Sequence, residues 1–377
     1  MRFKYLIPIL FLPVLACSRQ PSASTLQWAQ FPVAANYGSI TGRLLIAQSQ
    51  NERNFEKVRV CLQGSGSYQG PALQTEVKLA FATWLAGFGD KAERAWNQLE
   101  FVEQDRCPET DPQFGAVVAI ASFEKPAPAE AAQVFEPMSC IPFVPDPRLL
   151  RFPNYNCNTY GQVLGLAGPG GMARGRGIFR SVAPTVASLS PYTEWVSLEK
   201  ELSLALTLAK ADARELQKAR MEGWANDETL TSSTLEQLLS SYQGLIKHAD
   251  TLSFRELSAF AQLLSQSSYA TSSILRFVAD PFQPGQYRPQ RSAFHTLLHE
   301  VGHQFGMAHA HEPSSDEITG PSSLAQEKEG RWVSELATMA YGRLYTYLTE
   351  DDKAGITQLV KLESQLILGT SEDGTVQ

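Results

Sequence analysis

Residues 295–311 read HTLLHEVGHQFGMAHAH and hold five of the six histidines in a chain of 377 residues. No other stretch limits the fold as narrowly. His299 and His303 lie four residues apart, so a helix sets both imidazoles on one face, within reach of a single ion. Phe294, Leu297, Leu298, Val301 and Phe305 supply an apolar face at helical spacing, so a helix is expected here whatever the histidines do. Gly306 is the expected stop, because glycine tolerates positive φ and lets the chain reverse after the second ligand. His309, three residues on, can then return to the same ion from off the helix. Three neutral imidazoles with one open position describe a catalytic Zn²⁺ site, whereas a structural site fills all four. Water in the open position has its pKa lowered to about 7. Glu300, beside the first ligand, is the candidate general base and later proton donor.

The string HExxHxxGxxH resembles the signature of the metzincin metallopeptidases. That resemblance implies one catalytic zinc ion held by His299, His303 and His309, with Glu300 as the catalytic carboxylate. It also implies a methionine-containing turn, for which Met339 in residues 337–342 (ATMAYG) is the candidate. In that family the methionine forms an apolar floor beneath the metal without ligating it. Tyr341 occupies the position that, in the astacin-like and serralysin-like branches, ligates zinc or stabilises the oxyanion. Residues 348–356 (LTEDDKAGI) look like the start of the matrixin C-terminal helix, where paired aspartates support the Met-turn. Residues 165–169 (GLAGP), followed by 177–179 (GIF), are similar to the matrixin edge strand and the strand after it. The matrixin edge strand pairs with extended substrate. The resemblance does not cover residues 18–57 or 195–290, and the chain between strands and zinc helix is far longer than in a minimal matrixin domain.

The periodicity outside the motif gives its own picture. Residues 58–62 alternate like a half-buried strand, residues 71–88 carry Leu73, Val77, Ala80, Phe81 and Trp84 at helical spacing, and residues 115–122 (GAVVAIAS) read as a strand buried on both faces. Residues 126–191 are rich in Pro, Gly and Asn, with short strands at best. Three amphipathic stripes follow, on Leu198/Leu202/Leu206/Ala209/Leu216, Leu235/Leu238/Leu239/Tyr242/Ile246 and Phe254/Leu257/Phe260/Leu264. Ser233 with Glu236 and Ser253 with Glu256 fit capping boxes. Thr349 begins a last helix, with Glu350, Asp351 and Asp352 at the positive end of its dipole and Glu363 interrupting its apolar face.

The expected fold class is thus α+β. A metzincin-like catalytic domain, with a twisted mixed sheet, a zinc-binding helix and a C-terminal helix, carries an all-α insertion. Residues 1–16 are a lipoprotein signal peptide, 17–57 an N-terminal tether and 58–190 the first part of the catalytic domain. Residues 191–285 are the helical insertion, and 286–370 hold the zinc helix, Met-turn and last helix.

Arg2, Lys4 and a short apolar run form a secretory signal, too short for the roughly twenty residues that span a bilayer. Residues 14–17 (VLAC) resemble a bacterial lipobox, which implies lipidation at Cys17 and an exported, membrane-anchored chain, at the outer membrane ahead of the inner; an unanchored periplasmic or secreted chain is the alternative. Four further cysteines in an exported chain favour two disulfides with three possible connectivities. Cys140 with Cys157 is a plausible loop bridge, which leaves Cys61 with Cys107; free buried cysteines are the alternative. Residues 106–108 (RCP) only superficially resemble a cysteine switch. The net charge of −7 gives no reason to expect nucleic acid as a partner, since a phosphate-binding surface needs clustered positive charge.

The expected function is a zinc-dependent endopeptidase acting on proteins or peptides outside the cytoplasm. The alternatives are a catalytically silent zinc-containing adhesion lipoprotein and a zinc hydrolase of cell-wall peptide or amide bonds. Residues 342–347 would line the specificity pocket. His295 lies one helical turn before His299, His311 could compete with His309, and His248 reads as a surface residue.

Overall fold

The computed structural model describes residues 39–49, 57–65, 68–108, 111–120, 165–168, 170–175, 178–190, 193–211, 231–269, 276–279, 287–307, 327–328, 331–332, 338–339 and 345–368. Inside the segment expected to be a tether lies a helix, α1 (Ile40–Ser49), with Ile40, Leu44, Leu45 and Ile46 buried. It is apolar on several sides, as a helix covered by more than one neighbour must be. Thr41 Oγ1 donates to the Phe305 carbonyl (2.7 Å), and Ser39 Oγ to both carboxylate oxygens of Glu363 (3.2 and 3.3 Å). The buried Arg43 guanidinium donates to Ser181 Oγ (2.6 Å) and the Ala183 carbonyl (2.5 Å). The carboxyl of Glu363, which interrupts an apolar helix face, therefore has a buried partner near the other end of the chain.

β1 (Val58–Gln63) is followed by α2 (Pro71–Leu85), a 3₁₀ stretch (Ala86–Lys91), α3 (Ala92–Trp96), β2 (Leu99–Glu103) and β3 (Phe114–Ile120). Then come β4 (Gly165–Gly168), β5 (Gly171–Gly175), β6 (Ile178–Ala183) and β7 (Thr185–Leu189). Five strands form one sheet in the order β2-β1-β3-β7-β4, with the first four parallel and β4 antiparallel at the edge. The fold is mixed α/β. The strand beside β4 is β7, while Ile178 and Phe179, from the segment likened to the strand after the matrixin edge strand, lie in β6, which pairs with β5 in a separate hairpin. β7 escapes a sequence reading because its inward residues, Thr185, Ala187 and Leu189, are mostly small, in a Gly- and Pro-rich region.

β8 (Glu194–Val196) leads into α4 (Leu198–Ala211), α5 (Ser232–Ile246), a 3₁₀ turn (Ala249–Thr251) and α6 (Phe254–Gln266). β9 (Arg276–Ala279) and β10 (Tyr287–Ser292) lead back into α7 (Ala293–Phe305). β8 and β10 pair in parallel, Glu194 opposite Gln290, so the chain enters and leaves the helical unit side by side. The buried residues of α4, α5 and α6 join the same core as those of α2 and α7. Ser253 and Glu256 form a capping box on α6. The other expected box is corrected: α5 is capped by Thr231, whose side chain accepts from the Thr234 N–H, and Ser233 is already inside the helix. The cap requires extended backbone, which Thr231 has at φ −110° and ψ 167°.

Between α2 and this unit Glu76 is fully buried and accepts from the hydroxyls of Tyr68 and Tyr242 and from the Leu198 N–H. Burial pushes its carboxyl up to about 8, against the pull of those donors. β11 (Glu327–Lys328) and β12 (Arg331–Trp332) form a small antiparallel pair, and α8 (Glu350–Leu368) is the last described element. Thr349 stands before it, with its Oγ1 accepting from the Asp352 N–H (3.3 Å).

Cys61 on β1 and Cys107 after β2 form a disulfide, with Cα atoms 5.8 Å apart. Free thiols are thereby excluded at these two positions, and so is a Cys107 cysteine switch. Cys17, Cys140 and Cys157 lie outside the described residues. Among the described residues no helix is long and apolar enough to cross a membrane.

Candidate metal centre

α7 runs from β10 through the core with almost every side chain buried, and Phe305 packs edge-on against Phe81 of α2. Gly306 ends it in the left-handed conformation, φ 100° and ψ 11°. The Gly306 N–H donates to His303 O (2.9 Å) and the Met307 N–H to Gly302 O (3.0 Å), the paired closure of a glycine-capped helix. That reversal has a chemical consequence. It brings the Met307 carbonyl to 2.7 Å from His303 Nδ1. His299 Nδ1 lies 2.8 Å from the carbonyl of Thr338.

A carbonyl oxygen can only accept, so both imidazoles carry their proton on Nδ1, and Nε2 holds the lone pair. The two rings stand edge-on, centroids 4.9 Å apart and planes at 86°. Fixing Nδ1 on a carbonyl is the usual way a protein orients a metal-binding imidazole. The donor chemistry at His299 and His303 fits a zinc ion. His309, the expected third donor, lies outside the described residues, as do His311 and Tyr341. Among the described residues alone, no three His, Cys, Asp or Glu side chains group to hold a metal.

Glu300 follows His299 on α7 and is 4% exposed. Its carboxylate lies against the backbone of Gly165 on the edge strand β4, where an added Cβ would stand 2.5 Å from Oε1. Burial pushes the Glu300 carboxyl up to about 8. A cation held by the neighbouring imidazoles would draw it back down, since opposite charge favours the ionised form.

Met339 is fully buried under α7. A Cβ at Gly302 would collide with Met339 Sδ and stand 2.6 Å from Trp84 Cζ2, so the helix backbone rests directly on both side chains. Trp84 Nε1 also donates to the Leu298 carbonyl (2.8 Å), joining α2 to α7. Asp352, buried at the start of α8, accepts from the N–H groups of Thr338 (2.8 Å), Met339 (3.3 Å) and Thr349 (2.9 Å) and from Thr349 Oγ1 (2.7 Å). Burial raises its carboxyl above the usual range while those donors pull it back.

The chain matches no protein family, no curated protein and no solved structure with which it was compared. The site's chemistry therefore stands on its own residues.

Several of those residues are invisible to sequence reasoning. Thr338 and Met307 act through backbone carbonyls, which carry no side-chain signature. Gly302 and Gly165 act by having no side chain. His295 is buried on the same helix, and His248 is exposed at the end of α5.

Proposed function

We propose that the chain is an exported, lipid-anchored zinc endopeptidase of metzincin type, closest in pattern to the matrixins. The observation that carries the proposal is the paired hydrogen bonding of His299 and His303, each with Nδ1 on a carbonyl, with Glu300, next to His299 on α7, buried against Gly165 of β4. His299, His303 and His309 would hold the metal. Bound there, zinc would act as a Lewis acid toward a peptide carbonyl and toward water.

Glu300 takes a proton from the attacking water and passes it to the amine nitrogen as the C–N bond breaks. Its close packing against Gly165 keeps the carboxylate in one place, which removes reorganisation from the proton transfer. β4 ends the five-stranded sheet, so its outer edge can take an extended peptide as an added strand, and Glu300 lies against Gly165 of that same strand. An edge that is unpaired among the described residues favours peptide chains over small amides. Tyr341 is the proposed oxyanion donor or further ligand. Met339 beneath Gly302 fits the apolar floor of a Met-turn. The Cys61–Cys107 disulfide supports an oxidising, extracytoplasmic location, with Cys17 as the lipid attachment point.

Digestion of a peptide library by wild type and by Glu300→Ala, with zinc analysis of both, tests the proposal. Equal zinc with cleavage by wild type alone supports it. Stoichiometric zinc without cleavage of any peptide favours a silent binding lipoprotein, and cleavage confined to wall peptides favours the cell-wall hydrolase.

A further inference from the structure

We propose that the helical insertion orients the metal site through Thr346, which acts as a positioning residue for His299; the inference rests on the zinc reading above. α6 ends at Gln266 with Ser267 as its cap, and the next residue, Ser268, has φ 50°, the only positive φ at a non-glycine among the described residues. The left-handed turn closes the helix, with the Tyr269 N–H on the Leu264 carbonyl (3.2 Å), and places Tyr269 in the core. Such a conformation costs about 1 kcal/mol or more and persists only where the surroundings demand it.

The demand is visible at the Tyr269 carbonyl. It accepts from Thr346 Oγ1 at 2.6 Å. The carbonyl of the next residue, Tyr347, accepts from Thr338 Oγ1 at 2.8 Å. The Thr338 carbonyl in turn accepts from His299 Nδ1 at 2.8 Å. Three short hydrogen bonds thus run from the end of the insertion to the first expected ligand. Tyr269, Thr346, Thr338 and His299 are all buried, so a broken link leaves a polar group without water to replace its partner.

Asp352 holds the N–H side of the Thr338–Met339 turn from α8, and the 346–347 segment holds its hydroxyl side from the insertion. The insertion is then a built-in part of the site's frame. The segment it grips falls within the loop expected to line the specificity pocket, so the same link sets where that wall stands.

Cobalt(II) binding to the full chain tests this without relying on catalysis, read by competition affinity and by the visible ligand-field spectrum. Thr346→Val removes the hydroxyl at constant shape and should weaken cobalt binding about tenfold, the low end for outer partners of a metal ligand, with a shifted spectrum. Thr346→Ser keeps the hydroxyl and should restore both. Thr83→Val, which removes a buried hydroxyl from the Leu79 carbonyl on α2, should change neither. Thr338→Val cuts the next link of the same path, and the double variant should bind no more weakly than either single one.

An affinity and spectrum for Thr346→Val equal to those of Thr83→Val would overturn the link, as would fully additive losses in the double variant. Should Thr346→Val not fold, Thr338→Val against Thr338→Ser decides by the same criteria. A wild-type chain that binds no cobalt sinks the zinc reading itself, and the link with it.

Discussion

Asp352 and His299 bind opposite sides of one peptide unit. The Met339 N–H donates to Asp352 Oδ1 at 3.3 Å, and the Thr338 carbonyl of the same trans peptide accepts from His299 Nδ1 at 2.8 Å. The first turn of α8 therefore fixes the direction of an imidazole on α7. Asp352→Asn leaves one amide oxygen where two carboxylate oxygens accept and turns an amide donor toward backbone N–H groups. It should lower stability by about 3 kcal/mol, the scale for breaking a buried charge-assisted network, as read from urea denaturation. Zinc affinity should fall as well. An unaltered denaturation midpoint would contradict this.

Gly165→Ala should separate catalysis from metal binding. The new Cβ would stand 2.5 Å from Glu300 Oε1, so the carboxylate has to move while the two imidazoles keep their carbonyl partners. A misplacement of about 1 Å can cost on the order of a hundredfold in rate. The expected outcome is a loss of that size in peptide turnover at unchanged zinc content. Wild-type turnover would show that Glu300 is not held by β4.

The Cys61–Cys107 bridge spans 46 residues of sequence and ties β1 to the segment after β2. In the chain-entropy account a loop of this length adds about 4 kcal/mol. Replacing both cysteines by serine should lower stability by roughly that amount in denaturant titrations, and dithiothreitol should do the same to the wild type alone.

Glu363 gives the fold a pH dependence of unusual sign. Burial pushes its carboxyl from 4.5 up to about 8, with the Ser39 hydroxyl pulling weakly the other way. Between those values the folded chain keeps a proton that the unfolded chain has released. Its contribution to stability is therefore complete below pH 4.5 and is lost as pH rises toward 8, with a slope of at most about 1.4 kcal/mol per pH unit. Glu363→Gln mimics the protonated acid and should flatten the fall in stability from pH 5 to pH 8. Parallel curves for the two proteins would rule this out.

What the sequence made legible was local. The helix at 293–305 and its glycine stop follow from spacing within a dozen residues, as do the Ser253–Glu256 cap and the helix begun at Thr349. α1 was not legible, because burial on several sides erases the one-sided period that marks a helix in sequence. β7 was hidden by small inward residues. The frame of the site was hidden for a different reason. Thr338, Gly165 and Trp84 meet α7, and Thr346 meets Tyr269, only across long stretches of chain, through carbonyls, one indole N–H and missing side chains. Asp352 was legible only through the matrixin resemblance.

Zinc-edge X-ray absorption on the full chain, beside a His309→Ala variant, tests the central claim most directly. Three imidazole nitrogens with oxygen completing the shell are expected in the wild type, and two imidazoles in the variant. Sulfur in the shell, or an imidazole count unchanged by the substitution, would contradict a site built from His299, His303 and His309.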